Sequence, residues 1–393
     1  MNRPPEVSIV MPCLNEADTL ATCIAKAQTA LTAAGIAGEI IIADNGSSDG
    51  SQQIAQTMGA RVVPVAARGY GNALMGGIAA AQSRFVIMGD ADDSYDFGAA
   101  PQFVFKLREG FDLVQGCRLP TGGGRVLPGA MPWLHRWLGN PLLSRLARLW
   151  FKAPIHDVYC GMRGFSKEFY ARLNQRCTGM EFATEMIIRA SLSRANIAEV
   201  PITLHPDGRK SHPPHLKTFR DGWRTLRLYL LYSPRWLFLI PGGWLMLLGA
   251  AAAFAGMTET HIGRVTFSAH TALMGGLAVL CGYQSVLFAV LTKTYAVETG
   301  WLPEDPKYLR FYRLMNLERG LLLSLVAVGC GLALILSAFN QWRLTDFGRL
   351  DYALTMRRLI PGAVVVFGGM QTILFSFFVS ILGINRQREH SEK

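Results

Sequence analysis

The sequence has few cysteines and no arrangement of them that suggests a structural or metal-binding role. Its 7 cysteines are odd in number and scattered, and no two form a Cys-x-x-Cys pair. Neither a disulfide framework nor a zinc site is therefore indicated. The same holds for His205, His212 and His215, which have no regular metal spacing with a cysteine or a carboxylate. We expect the cysteines to be reduced.

The amino terminus lacks the apolar core of a secretory signal peptide. The run Val7–Met11 is interrupted by Ser8 and is stopped by Pro12. We therefore expect the first half of the chain to stay in the cytoplasm.

Charged residues are missing from four long apolar runs in the second half of the chain. These runs are Trp236–Gly256, Thr271–Thr292, Gly320–Phe339 and Ile360–Leu382. Each approaches or exceeds the roughly 20 residues that cross the hydrocarbon core of a bilayer. Buried helices of a soluble protein are the alternative, but four such runs in succession favour a membrane. We predict a cytoplasmic domain over 1–215, a basic amphipathic juxtamembrane helix over 216–235 and a transmembrane domain over 236–393.

Basic residues flank the apolar runs and predict their orientation. They precede the first run and lie between the second and third: Arg220, Arg224, Arg227, Arg235, Lys293, Lys307, Arg310, Arg313 and Arg319. This pattern places both termini in the cytoplasm, although four arginines in the loop Gln341–Leu359 oppose it. With a net charge of +11 clustered beside the spans, anionic lipid headgroups and phosphate-bearing substrates are better partners than nucleic acid. Homo-oligomer formation is left open.

The first half of the chain alternates short apolar runs with helical patterns. The predicted strands are Val7–Met11, Glu39–Ala43, Arg61–Val65 and Phe85–Met88, and the predicted helices are Glu16–Ala34, Ser48–Met58 and Gly71–Gln82. This alternation predicts an α/β domain with a mostly parallel sheet, whose ligands bind beyond the carboxyl ends of the strands. A nucleotide is the simplest ligand for the polar residues and glycines found there. Gly69–Leu74 is not a dinucleotide fingerprint, because Leu74 stands where that motif needs glycine or alanine.

The last predicted strand ends in an acidic segment, Gly89–Asp96. In an extended chain Asp90 and Asp92 project to the same side, because strand side chains alternate. Two carboxylates so placed can hold one hard cation, either Mg²⁺ or Mn²⁺. A solvated acidic loop is the alternative interpretation.

These segments, taken in order, resemble the inverting glycosyltransferases of family 2. The matching segments are PCLNE (Pro12–Glu16), ADNGSSDGS (Ala43–Ser51), RGYGNAL (Arg68–Leu74) and GDADD (Gly89–Asp93). HDVYCGMRGFS (His156–Ser166), with GCR (Gly116–Arg118), is most similar to the polyprenyl-phosphate sugar transferases typified by dolichol-phosphate mannose synthase. The resemblance spans about residues 7–210.

The resemblance implies a nucleotide-diphosphate-sugar transferase fold of the GT-A type and a metal-dependent hexosyltransferase. Asp44 would contact the base, and Asp90 and Asp92 would serve the ribose and the metal. The full nucleotide-binding set would be Pro12, Asn15, Glu16, Asp44, Gly71 and Asp90. The sugar and the acceptor would lie near Asp157–Arg163. Asp93 and Ser94 follow Asp92 where the mannose synthases often have glutamine or another polar residue after an apolar one, so a third metal ligand is not assigned.

The transferred sugar leaves a diphosphate, so the site must stabilise negative charge on that leaving group. The candidates are Arg118, Arg163, Arg209 and Lys210, with Ser211 adding a hydroxyl. A hydroxyl acceptor needs a general base, for which Asp157 is the candidate, whereas a lipid phosphate is already anionic and needs none. Asp157 would then position the acceptor or the sugar, or would simply stabilise a turn. The loop around Arg209 is equally consistent with an ordinary juxtamembrane linker.

Two segments combine tryptophan with basic residues in an amphipathic pattern. Met131–Lys152 has a predicted break at Pro141, and Leu216–Tyr232 leads into the first apolar run. Such helices lie in the headgroup plane, or else pack on a soluble core.

Two other functions compete with transfer to a lipid phosphate. A processive polysaccharide synthase would carry a Gln-x-x-Arg-Trp motif before the membrane, which this sequence lacks. A noncatalytic nucleotide-binding membrane subunit is disfavoured by the complete acidic motif and by spans without internal charge.

Overall fold

The computed structural model describes residues 4–210, 218–306, 310 and 316–391. The chain divides into two compact units, Met1–Tyr229 and Leu230–Lys393. The first contains the sheet, and the second contains long apolar helices. The predicted α/β domain followed by a four-helix membrane domain is confirmed.

The strands of the first unit, numbered in chain order, include two very short ones. They are β1 (Val7–Cys13), β2 (Gly38–Asp44), β3 (Arg61–Pro64), β4 (Phe85–Met88), β5 (Leu113–Cys117), β6 (Arg125–Val126), β7 (Arg163–Ser166), β8 (Ile197–Pro201) and β9 (Thr203–Leu204). Within the described residues, seven form one sheet in the order β3-β2-β1-β4-β7-β5-β8. β7 runs antiparallel to both β4 and β5, and the other pairs are parallel. The short strands β6 and β9 pair with each other.

Helices cover both faces of this sheet. Those that begin in the first unit are α1 (Leu20–Ala33), α2 (Ser51–Thr57), α3 (Tyr70–Ala80), α4 (Ala100–Arg108), α5 (Asn140–Phe151), α6 (Lys167–Leu173), α7 (Glu181–Leu192) and α8 (Thr218–Leu231). The central strand β1 is buried on both faces: Ile9 and Met11 join the core cluster that includes residues of α1 and α4. Val10 faces α3 so closely that a Cβ at Gly77 would lie 2.5 Å from its Cγ1. This packing produces three layers, with β1 and β4 in the middle of the sheet.

The predicted break at Pro141 is wrong, because the chain stays helical through it. A π-helical turn, His135–Gly139, leads into α5 with Pro141 in its first turn. Proline has no N–H to donate, so in the middle of an α-helix it would remove one backbone hydrogen bond. The wider π-helical turn and the position of Pro141 in the first turn of α5 accommodate the missing donor. The same arrangement recurs where the π-helical turn Arg235–Leu239 precedes Pro241.

The second unit contains α9 (Ile240–Met257), α10 (Ala269–Glu298), α11 (Leu317–Leu344) and α12 (Tyr352–Ser391), with a short hairpin of β10 (His261–Ile262) and β11 (Val265–Thr266). Among the described residues, four helical segments are long and apolar enough to cross a membrane: Arg235–Met257, Ala269–Glu298, Leu317–Leu344 and Tyr352–Leu382. The predicted loop Gln341–Leu359 is therefore largely helical. The apolar runs correspond only to the part of each helix that would lie in hydrocarbon, and the helical backbone hydrogen bonds continue beyond that part.

Glycines bring the membrane helices of this unit close together. A Cβ at Gly275 would lie 2.3 Å from the Ala253 nitrogen, and one at Gly331 would lie 2.7 Å from the Gly362 oxygen. α9 thus packs on α10, and α11 packs on α12. Small residues at helix crossings are typical of transmembrane packing, where backbones approach closely.

Candidate active site

The site begins at the carboxyl ends of β1 and β2, which lie side by side because Cys13 pairs with Asp44. Asp44 is buried, and its Oδ2 accepts hydrogen bonds from the Gly46 nitrogen at 3.0 Å and from Gln52 Nε2 at 2.6 Å. The carboxylate thereby fixes the turn that follows β2. Pro12 lies one residue before the end of β1, opposite Ala43.

The loop after β1 is joined to this turn by hydrogen bonds in both directions. Asn15 has a left-handed backbone (φ +60°), and its Oδ1 accepts from the Ser48 nitrogen at 2.8 Å. The Asn15 nitrogen donates to Ser47 Oγ at 2.9 Å, and the Glu16 nitrogen donates to Ser51 Oγ at 3.0 Å. The structure therefore brings Asn15, Glu16 and Asp44 together, as the sequence predicts.

The glycine-rich segment before α3 adjoins the same turn. The Gly69 nitrogen donates to Asn45 Oδ1 at 2.8 Å. A Cβ at Gly71 would lie 2.7 Å from the Cys177 oxygen, so this position requires glycine. The space beside Gly71 is thus filled by backbone of the chain itself.

Asp90 and Asp92 follow β4 at the same edge of the sheet, and both are partly buried. Asp90 Oδ1 accepts from the Tyr70 hydroxyl at 2.9 Å. Asp92 Oδ1 accepts from Ser94 Oγ at 2.6 Å, and its Oδ2 accepts from Arg209 Nη2 at 3.2 Å. Burial raises the pKa of Asp90, and the negative charge of Asp92 raises it further. The positive charges of nearby arginines are therefore too weak to offset the effects of burial and of Asp92 on the Asp90 carboxylate.

This donor set fits a divalent cation that keeps some positions for other ligands. In the part of the chain that the structure describes, no group of three or more His, Cys, Asp or Glu side chains could enclose a metal. Mg²⁺ is usually held by one or two carboxylates plus substrate phosphates, so a closed cage is not required. Asp93 does not add to the pair, because its Oδ1 forms an ion pair with Lys26 at 2.7 Å.

Asp157 is fully buried and is occupied by hydrogen bonds. Arg118 approaches it with one edge of its guanidinium, Nε donating to Oδ2 at 2.7 Å and Nη2 donating to Oδ1 at 2.9 Å. The Arg118 nitrogen and the Tyr159 nitrogen add further bonds at 3.0 and 3.2 Å. This geometry makes Asp157 an anchor for Arg118 and for the turn that begins the loop 157–163.

Arg163 lies at the other end of that loop and is also fully buried. It donates to the carbonyl oxygens of Val158 and Cys160 at 2.9 to 3.1 Å and to that of Ala183. In these contacts its guanidinium shapes the loop backbone.

The loop between these two residues touches the acidic pair. A Cβ at Gly161 would lie 2.8 Å from Asp90 Oδ2, and the Gly161 nitrogen donates to the Tyr95 hydroxyl at 2.8 Å. The sequence-predicted acceptor region and the predicted metal ligands are therefore direct neighbours.

Arg209 lies over the acidic pair from a distant part of the chain. Its side chain is 9% exposed and contacts Glu16 Oε1 at 3.1 Å, Asp92 Oδ2 at 3.2 Å and the Asp207 carboxylate. The neighbouring Gly208 nitrogen donates to the Asp92 oxygen, and the Lys210 nitrogen donates to Asp18 Oδ2, both at 3.0 Å. Arg209 is therefore within reach of a phosphate bound at Asp92. Ser211 lies outside the described residues.

Several side chains that the sequence analysis did not select contribute to this region. Tyr70 contacts Asp90, Tyr95 contacts Gly161, and Asp207 contacts Arg209. Glu199 Oε1 accepts a hydrogen bond from the His156 backbone nitrogen, and Glu199 Oε2 lies 2.6 Å from His156 Nδ1. Tyr70 and Asp207 lie inside segments that the sequence had already marked, the glycine-rich segment and the loop around Arg209. Tyr95 and Glu199 could not have been selected from a pattern, because their contacts with Gly161 and His156 join residues far apart in sequence.

Two family models match the chain. Glycosyl transferase family 2 matches residues 8–173, and the glycosyltransferase family 2 C-terminal transmembrane region matches residues 290–383. The low-salt glycan biosynthesis hexosyltransferase Agl6 of Haloferax volcanii is 36% identical over 381 residues, or 96% of this chain and 89% of that protein. A dolichyl-phosphate hexose transferase of the same organism is 32% identical over 198 residues, covering 50% of this chain and 82% of that protein.

A solved structure is similar at a lower level. It is the crystal structure of glucosyl-3-phosphoglycerate synthase from Mycobacterium tuberculosis in complex with Mn²⁺, uridine diphosphate and glucosyl-3-phosphoglycerate. The identity is 21% and the TM-score is 0.45, over 58% of this chain and 78% of that one.

Proposed function

Since this chain belongs to glycosyltransferase family 2 and is a membrane protein, we propose that it transfers a single hexose from a nucleotide-diphosphate sugar to a polyprenyl phosphate. The transfer inverts the anomeric centre and takes place at the cytoplasmic face of the membrane. The product is a lipid-linked monosaccharide.

The state of Asp157 is the observation that favours a phosphate acceptor over a hydroxyl. A general base must come within hydrogen-bond reach of the proton it removes. Asp157 is 0% exposed and already accepts two bonds from the Arg118 guanidinium. The side chain that the sequence offers as a base is thus engaged elsewhere. A phosphate oxygen needs no base, because it is already largely anionic near neutral pH.

In the proposed reaction, an oxygen of the lipid phosphate forms a bond to the anomeric carbon as the bond from that carbon to the nucleotide diphosphate breaks. Attack from the opposite side inverts the configuration, and no proton has to move. Asn15, Glu16 and Asp44 bind the nucleoside, with Pro12 and Gly71 shaping its pocket. Arg209, Lys210 and Ser211 are the proposed phosphate ligands. Arg118, Asp157 and Arg163 hold the loop against which the sugar and acceptor lie.

Asp90 and Asp92 would hold the divalent cation, Mg²⁺ or Mn²⁺, together with the donor diphosphate. When bound, the cation acts as a Lewis acid that stabilises charge on the leaving diphosphate. The raised pKa of Asp90 supports this assignment, because a bound cation would supply the positive charge that the buried carboxylate needs to be ionised.

The membrane geometry is proposed from exposed aromatic residues on the first unit. Trp133 and Trp137, next to α5, are 72% and 60% exposed, and Phe219 and Trp223 on α8 are 85% and 60% exposed. Arginines accompany both groups, a combination that suits an anionic membrane surface. A polyprenyl phosphate keeps its phosphate at this depth. We propose that this surface and both termini lie in the cytoplasm, which the basic residues flanking the spans support.

The test is transfer of radiolabel from a panel of nucleotide hexoses to polyprenyl phosphate by the detergent-purified full chain, with Mn²⁺ or Mg²⁺. Asp92→Asn should lose activity by at least about a hundredfold, because it removes a metal ligand. Asp96→Asn is the matched control, since the Asp96 side chain accepts a hydrogen bond from the Gly98 nitrogen at the start of a short helical turn, a bond that asparagine can also accept. Donor binding without any lipid product across the panel would refute the proposal.

A further inference from the structure

We propose, resting on the proposed function, that Tyr70 is a positioning residue that holds the Asp90 carboxylate in place for the cation and the donor. Its hydroxyl donates to Asp90 Oδ1 at 2.9 Å. Second-sphere hydrogen bonds of this kind orient ligating carboxylates.

Asp90 is constrained from both sides. Tyr70 binds Oδ1, while Gly161 lies so close to Oδ2 that a Cβ there would approach to 2.8 Å. The Gly161 backbone is in turn held by the Tyr95 hydroxyl at 2.8 Å. The carboxylate therefore has little freedom to rotate, and Tyr70 supplies the hydrogen bond that selects its orientation.

Tyr70 is itself fixed at the first turn of α3. A Cβ at Gly69 would lie 2.6 Å from the Thr178 oxygen, and the Asn72 nitrogen donates to that same oxygen at 3.2 Å. With glycines on both sides of Tyr70 packed against residues 177–178, the backbone beneath the phenol cannot shift easily.

The segment 176–178 is held by a buried carboxylate on α7. Glu185 is 0% exposed, and its Oε2 accepts from the Arg176 and Cys177 nitrogens at 2.9 and 2.8 Å. Arg189 Nε donates to its other oxygen at 3.0 Å. A continuous series of contacts thus runs from α7 through segment 176–178 and Tyr70 to Asp90.

A phenol is suited to this role because it donates without carrying positive charge. A lysine or arginine at position 70 would orient Asp90 but would also repel a divalent cation. Arg209 makes such a charged contact with Asp92, so the two carboxylates are held by different kinds of donor.

The experiment measures Mn²⁺ affinity of the detergent-purified full chain by electron paramagnetic resonance. Tyr70→Phe keeps the ring and removes only the hydroxyl, and we expect Mn²⁺ to bind about tenfold more weakly. Tyr170→Phe is the matched control, since the Tyr170 ring packs against Phe165 and Phe182 and has no described contact with Asp90. It should bind Mn²⁺ like the wild type. Tyr70→Met also lacks the hydroxyl and should show the same loss of Mn²⁺ affinity. It replaces Tyr70→Phe in the experiment if that variant folds poorly.

Transfer kinetics separate positioning from direct substrate contact. If Tyr70 acts through Asp90, saturating Mn²⁺ should restore kcat of Tyr70→Phe to near the wild-type value. A kcat that stays low at saturating Mn²⁺, or Mn²⁺ affinity within twofold of wild type, would overturn the inference. Wild-type protein that binds no Mn²⁺ would instead refute the metal assignment of the proposed function.

Discussion

Removing the charge of Asp157 should destabilise the first unit strongly, because it leaves Arg118 buried without its counterion. Arg118 is 7% exposed and directs three hydrogen bonds at the Asp157 carboxylate, two of them from the guanidinium. Breaking a buried pair by changing one partner costs about 3–5 kcal/mol. For a domain of this size each kcal/mol lowers the unfolding midpoint by about 2–4 °C, so Asp157→Asn should lower it by roughly 6–20 °C.

The assay is thermal unfolding of the full chain in detergent, followed by intrinsic fluorescence, with transfer activity measured below the midpoint. Asp112→Asn is the matched control, because it removes a more exposed pair with Arg172, at 3.6 Å. Exposed pairs contribute about 0–1 kcal/mol, so this midpoint should move by a few degrees at most. The double variant Arg118→Met with Asp157→Leu should recover only part of the lost stability. Apolar replacements of buried pairs are often neutral, but leucine leaves the backbone nitrogens of Arg118 and Tyr159 without their acceptor.

An Asp157→Asn protein that keeps its midpoint but loses transfer would show that Asp157 is not needed to hold Arg118. Asp157 would then act on the substrate, as a base for a hydroxyl acceptor would.

Three further predictions concern the acidic pair. Gly161→Ala, whose Cβ would lie 2.8 Å from Asp90 Oδ2, should weaken Mn²⁺ binding about tenfold in a resonance titration, whereas Gly243→Ala, where a Cβ meets nothing within 4 Å, should not. Arg209→Met removes the positive charge beside Asp92, so Mn²⁺ alone should bind roughly threefold to tenfold more tightly. The donor nucleotide, measured by calorimetry, should bind more weakly. Mn²⁺ binding that is no tighter than in the wild type would contradict this prediction. Burial raises the pKa of Asp90 in the folded chain from its ordinary value of 3.8 to about 7, so the metal-free folded chain holds a proton there that the unfolded chain releases. The unfolding midpoint should therefore fall, and Mn²⁺ affinity should rise, from about pH 4 to about pH 7; a midpoint that rises over this range would contradict this prediction.

The elements that the sequence predicts well are those with short, local signals. The run Phe85–Met88 is fully apolar and ends in aspartates, and the structure makes it a strand over the same residues. The four membrane helices are likewise found at the apolar runs, but α12 begins at Tyr352, eight residues before the run at Ile360. The length of a hydrophobic run is set by the thickness of the bilayer, so the run does not show where the helix begins or ends.

The candidate site was predicted as a set of residues but not as a set of contacts. Parallel strands bring their carboxyl ends together, which suffices to group Asn15, Asp44 and Asp90. The partners of these groups depend on long-range packing that no local pattern encodes. Arg209 reaches Asp92 across 117 positions, and Asp157 meets Arg118 across 39.

The chemical class of the acceptor, a phosphate or a hydroxyl, distinguishes the proposed reaction from its main alternative. The measurement compares initial rates of transfer from one accepted nucleotide hexose to polyprenyl phosphate and to the polyprenol of the same chain length, at saturating Mn²⁺ or Mg²⁺. We predict product only from the phosphate, with the anomeric configuration inverted relative to the donor. Comparable transfer to the polyprenol would contradict the account, because it would require a general base in a site where Asp157 is already bound to Arg118.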